Sequence, residues 1–138
     1  MSVENCKYGV DDCSYRSAGE IAGLTQLAES FYHYMDILPE AKTIRNMHRA
    51  DLTESKQKLA YFLSGWLGGP KLYSENFGPI KIPLAHKHLP IGSAERDAWM
   101  LCMQKAVDEQ PYKETFKRYL IEQLHVPAER IRVACGRS

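Results

Sequence analysis

The sequence has no apolar run approaching the roughly 18 residues that span a bilayer, so it offers no candidate transmembrane helix. It has no excess of one charge either. Eighteen basic residues face 17 acidic ones, which leaves a net charge of +1. That balance creates no field favouring nucleic acid or an anionic membrane, so both partner classes are set aside. The N-terminus lacks the basic patch and apolar stretch of a secretory signal, and a cytoplasmic location is expected. Cysteine is scarce, with four in the chain. Cys6 and Cys13 are separated by six residues, which is not zinc-knuckle spacing, and no matching pair follows. The expectation is free thiols in a reducing compartment, with a Cys102–Cys135 pairing left open. No repeat and no Pro/Ser/Gly-rich linker divides the 138 residues, so one domain is expected.

What is present is helical periodicity. Residues 1–16 show none and read as an N-terminal extension; residues 17–138 read as the domain. From Ser17 onward, Leu24, Leu27, Phe31, Tyr34 and Leu38 recur at steps of three and four and form one apolar stripe. Pro39 stops that helix and can start a short one. Asp51 followed by Glu54 resembles a capping box, and the next helix carries Leu59, Phe62, Leu63 and Trp66 on one face. Gly68-Gly69-Pro70 ends it. A helix from Ala94 to about Glu109 follows an N-cap at Ser93. A last helix starts after Pro111, and residues after Pro127 could add a short separate turn. No period-2 run argues for a strand, so the chain is all-α.

Residues 70–92 break the pattern. Pro70, Gly78, Pro79, Pro83, Pro90 and Gly92 leave room for about one and a half helical turns, near Leu84–Leu89. An irregular stretch of about 20 residues in a compact domain needs something other than helix packing to hold it, and a large cofactor would do so. His86 and His88 lie inside it. As an H-x-H pair they suit one metal only on extended backbone, and no nearby Cys, Asp or Glu completes a zinc shell.

The run GWLGGPKLYSENFGP, a histidine, and then IGSAERDAWMLCMQKAV resembles the group II truncated hemoglobins. In that family a glycine pair closes the distal helix, a histidine about 18 residues later binds heme iron, and a tryptophan 13 residues further covers the distal pocket. Here those spacings run from Gly68 to His86 and from His86 to Trp99. Phe31-Tyr32 is similar to the family's Phe-Tyr pair. The resemblance implies a truncated globin fold, a two-over-two helical sandwich around heme b, with His86 as the axial ligand. The basic residue that often precedes the ligand is replaced by Ala85, so Lys71, Lys87 or His88 could serve the propionates instead.

The same resemblance implies the other roles. Tyr32, Trp99 and His48 are the expected polar residues of the distal pocket, because bound O₂ carries partial negative charge and favours hydrogen-bond donors. Ser55 corresponds to the distal-histidine site of ordinary globins and is too short to gate it. Leu59, Phe62, Leu63, Leu84 and Ile91 are expected against the cofactor, and Tyr73 beside a propionate. The implied function is binding of O₂ and other diatomic gases such as CO and NO, with an unidentified reductase as partner. A heme enzyme acting as peroxidase or nitric oxide dioxygenase is the alternative, and a heme-free helical interaction module is the second. Taken singly, Tyr32 also fits an ordinary core tyrosine and His48 a solvated histidine.

Overall fold

The computed structural model describes residues 6–79 and 89–136. Seven α-helices occupy this range: α1 (Cys13–Ser17), α2 (Glu20–Ile37), α3 (Lys42–Asn46), α4 (Thr53–Trp66), α5 (Leu72–Phe77), α6 (Ser93–Asp108) and α7 (Glu114–Cys135). A 3₁₀ turn, Pro39–Ala41, joins α2 to α3. There is no strand among the described residues. Nor is any of their helices long and apolar enough to cross a membrane.

Helix α2 is the hub, packing on both α4 and α6, while α6 also packs on α7. This is a two-over-two sandwich. The apolar stripe expected from Leu24 through Phe31 is the one α2 buries, with Leu24, Leu27 and Phe31 fully inside. On α4, Leu63 is buried, whereas Leu59 and Phe62 are only half-buried. Large apolar side chains left partly open on an inward face point to a space between the layers.

Several helix ends differ from expectation. The first long helix begins at Glu20 rather than Ser17, because Gly19 takes a left-handed conformation and interrupts the chain after α1. At the start of α4, Asp51 Oδ1 accepts hydrogen bonds from the Thr53 N–H (2.9 Å) and hydroxyl (2.7 Å). Glu54 does not close a box; it pairs with Lys58 at 2.9 Å. Gly92, not Ser93, caps α6, and its N–H donates to Glu95 Oε1 at 2.8 Å. Within the irregular stretch, helical turns form at Leu72–Phe77. The turn expected near Leu84–Leu89 falls mostly outside the described residues.

Helix α7 runs unbroken through Pro127. Proline removes one backbone donor and normally ends a helix. Here Phe116, Leu120, Leu124 and Ala128 continue one buried line at steps of four across it. Packing of that line outweighs the local cost, which is why the separate turn expected after Pro127 is absent.

The thiol expectation is corrected at one site: Cys6 and Cys13 form a disulfide. Spacing rules for zinc say nothing about two sulfurs brought together by a turn, and residues 7–12 make that turn, with Val10 N–H donating to the Lys7 carbonyl. The bond removes the thiol argument for a reducing compartment at this site. Cys102 is a fully buried thiol whose pKa burial pushes up to about 11, so it stays protonated. Before Ser17, Cys13, Ser14 and Tyr15 are buried in the core. Tyr15 N–H donates to the Leu67 carbonyl at 3.1 Å. The Tyr8 ring packs 5.3 Å from Phe116 and 5.2 Å from Tyr119. Gly68 is more than a helix stop. At φ +91°, a Cβ there would lie 2.0 Å from the Asp11 carbonyl oxygen, so only glycine lets this arm sit on the end of α4.

Breaking the disulfide should therefore loosen the arm. Closing so short a loop restricts the unfolded chain by about 2.5 kcal/mol. Cys6→Ser or added reductant is expected to lower Tm by roughly 5–10 °C in a thermal scan. An unchanged Tm would show that Tyr8 and Tyr15 hold the arm unaided.

Candidate functional site

A cavity of about 330 Å³ lies between the layers, a size typical of small-molecule and cofactor sites. Nine of the expected site residues within the described range line it. Helix α2 contributes Tyr32, and the turn after α3 contributes His48. Helix α4 contributes Ser55, Leu59, Phe62 and Leu63. Tyr73 comes from α5, Ile91 from the approach to α6, and Trp99 from α6 itself. Leu84 and His86 lie outside the described residues, as do Ala85, Lys87 and His88. Lys71 does not line this cavity; it borders a shallower one with Tyr61, Trp66 and Tyr73.

The polar residues are held by identifiable contacts. Phe31, fully buried, stands between two of them: its ring lies 4.9 Å from that of Tyr32 and 5.1 Å from that of Trp99. Burial of Tyr32 pushes its phenol well above the ordinary tyrosine range, so it is a neutral O–H donor. His48 meets the Tyr32 ring edge-on at 5.6 Å. Its Nδ1 lies 2.8 Å from the Ile44 carbonyl oxygen, which also accepts the Met47 N–H at 3.1 Å. Arg45 fixes the same turn, donating to the carbonyls of Arg49 (2.9 Å) and Ala50 (3.1 Å) while pairing with Asp36.

Other lining residues were not singled out from sequence. Lys58 sits three residues after Ser55 and four before Phe62, on the same helical face, so its place was legible from the period. Its Nζ pairs with Glu54 and lies 5.1 Å above the Phe77 ring. Leu124, Pro127, Ala128 and Ile131 form the α7 wall. Their spacing is helical too, but reading Pro127 as a stop hid it. Arg96 also lines the cavity, held by Glu129 and Asp97. No cluster of three or more His, Cys, Asp or Glu residues that could hold a bare metal ion exists among the described residues.

These residues fit a large apolar cofactor with acidic edges. Leu59, Phe62, Leu63, Leu124 and Ile131 supply apolar wall, and Lys58 supplies a cation beside it. Phenol, imidazole and indole converge in the same space, suited to a small polar ligand. A helical sandwich that encloses such a cavity beside a Gly-Gly-Pro helix end is globin-like. The comparisons with known proteins define it further. The family model for bacterial-like globins matches residues 14–132. The chain is 34% identical over 114 residues to group 2 truncated hemoglobin YjbI of Bacillus subtilis, covering 83% of each chain. It superposes on the group II 2-on-2 hemoglobin of Agrobacterium tumefaciens with a TM-score of 0.82 and 34% identity, over 93% of this chain and 95% of that one. The truncated oxygen-avid haemoglobin of Bacillus subtilis gives a TM-score of 0.77 and 31% identity, over 86% and 97%.

The chain belongs to the bacterial-like globin family, among the group II truncated hemoglobins. It is therefore a heme globin, of a family that binds diatomic gases.

Proposed function

We propose that this protein binds O₂, and other diatomic gases such as CO and NO, at heme b held in the central cavity with His86 as the axial ligand. The observation that carries the reading is the convergence of Tyr32, His48 and Trp99 on one apolar cavity beside Lys58. The likeness to a haemoglobin described as oxygen-avid supports O₂ in particular. Bound heme would supply the iron at which the gas binds.

The chain's own residues do the rest. Leu59, Phe62, Leu63 and Ile91 keep water from the cofactor, with Leu84 also expected against it. Lys58 and Tyr73 would meet the propionates, with Lys71, in the neighbouring groove that Tyr73 also borders, as an alternative cation. The neutral Tyr32 phenol and the Trp99 indole N–H are donors toward a ligand that gains negative charge on binding. Ser55 leaves the cavity ungated beside them. An external reductase would keep the iron ferrous. Absorption spectra of the reduced, oxygenated and carbonmonoxy forms test the reading directly. A purified holoprotein without a Soret band, or without a shift on adding CO, would refute it.

The same reading makes a prediction for residues 70–92. On either side of residues 80–88, Tyr73, Leu89 and Ile91 line the cavity, so cofactor contacts should order this Pro/Gly-rich stretch. Its amides should exchange with solvent much faster in apoprotein than in holoprotein, by tenfold or more. Equal protection in both forms would separate the stretch from the cofactor.

A further inference from the structure

A carbonyl oxygen only accepts, so the 2.8 Å contact between His48 and Ile44 places the ring hydrogen on Nδ1. Neutral His48 therefore presents an unprotonated Nε2, a lone pair, on the ring edge away from Ile44. That is the wrong polarity for a donor to O₂ and the right one for a base. We propose that His48 is the proton acceptor of the cavity for small weak acids that enter as neutral H–X and bind as X⁻, the chemistry shared by hydrogen peroxide, hydrogen sulfide and hydrogen cyanide. This rests on the heme reading above.

The step is a proton transfer without redox change. The H–X bond breaks, its electron pair stays on X, and an Nε2–H bond forms. The resulting imidazolium is then a charged donor toward the X⁻ it created, while its Nδ1–H stays on Ile44. The acid therefore needs no hydroxide from solvent to lose its proton.

No other ionisable group around the cavity among the described residues is as well suited. Tyr32 is held protonated by burial. Lys58 and Arg96 are cations in ion pairs with Glu54, and with Asp97 and Glu129. Glu95 already accepts the Gly92 N–H. On the turn of His48 itself, Arg45 is engaged with Asp36 and two carbonyls. The Ile44 bond holds the ring and the Arg45 bonds fix the turn that carries it, which is what a base needs to act on a small ligand.

The test uses full-length holoprotein. Cyanide added near neutral pH, where it is almost all hydrogen cyanide, probes association with the ferric form. General-base assistance is worth roughly 10²–10⁴-fold, so His48→Phe and His48→Gln should each slow cyanide association about a hundredfold. Association of CO with the ferrous form and of NO with the ferric form releases no proton and should slow far less than cyanide association does. Long-range ¹⁵N correlation spectra of native carbonmonoxy protein read the tautomer independently of any variant. Protonated Nδ1 with bare Nε2 is expected. Protonated Nε2, or cyanide association unchanged in both variants while CO binds normally, would overturn the proposal. Failure of CO binding in the native protein would instead overturn the heme reading.

Discussion

His86→Ala should yield protein that does not retain heme, while His88→Ala keeps a normal five-coordinate ferrous spectrum. Loss of a supporting residue behind a metal ligand costs roughly 10–100-fold in affinity, and loss of the axial ligand should exceed that. By the resemblance to the group II truncated hemoglobins, the spacing from Gly68 and to Trp99 makes His86 the expected ligand. On either side of residues 80–88, Tyr73, Leu89 and Ile91 line the cavity. Added imidazole should restore the spectrum of His86→Gly by supplying the missing nitrogen. If instead His88→Ala loses heme and His86→Ala retains it, the ligand is two residues further along.

Much of this protein could be read from periodicity. The stripe Leu24–Leu27–Phe31 and the α4 face Ser55–Leu59–Phe62 are spaced as helices require, and they form two cavity-bearing elements. The run from the glycine pair through the histidine to the tryptophan pointed to heme through its resemblance to the group II truncated hemoglobins. The misses share another cause. Pro127 looked like a terminus because local propensity ignores the buried line Leu120–Leu124–Ala128 that carries α7 through it. The Cys6–Cys13 bond depends on a turn that no helical period announces. The seat of the arm on Gly68 is a close approach between segments far apart in sequence, visible only when Asp11 and α4 are placed together. His48 was legible as a polar residue of the site, but not its tautomer. That follows from one hydrogen bond to a backbone carbonyl four residues earlier.

The assignment of His48 as an acceptor leaves Tyr32 and Trp99 as the two donors for bound O₂. A hydrogen bond to a charged acceptor is worth about 1.5–3 kcal/mol, so removing one should speed O₂ dissociation roughly ten- to a hundredfold. Tyr32→Phe and Trp99→Phe both keep an aromatic body and delete the donor. Both residues lean on the buried Phe31 ring, so the cavity shape should survive either change. Bound CO is less polar, and its release should respond much less. The two donors share one ligand and one supporting ring, so the double variant need not show the sum. His48 adds an asymmetry. A Tyr32 hydroxyl can divide its hydrogen bond between the ligand and the His48 lone pair, whereas Trp99 has no such competitor among the described residues. The larger effect is therefore expected for Trp99→Phe. Stopped-flow release of O₂ and CO from each variant measures it. Unchanged O₂ release in both single variants would mean that neither donor meets the ligand. Slower release in Tyr32→Phe would mean that the phenol had been holding another group away from it.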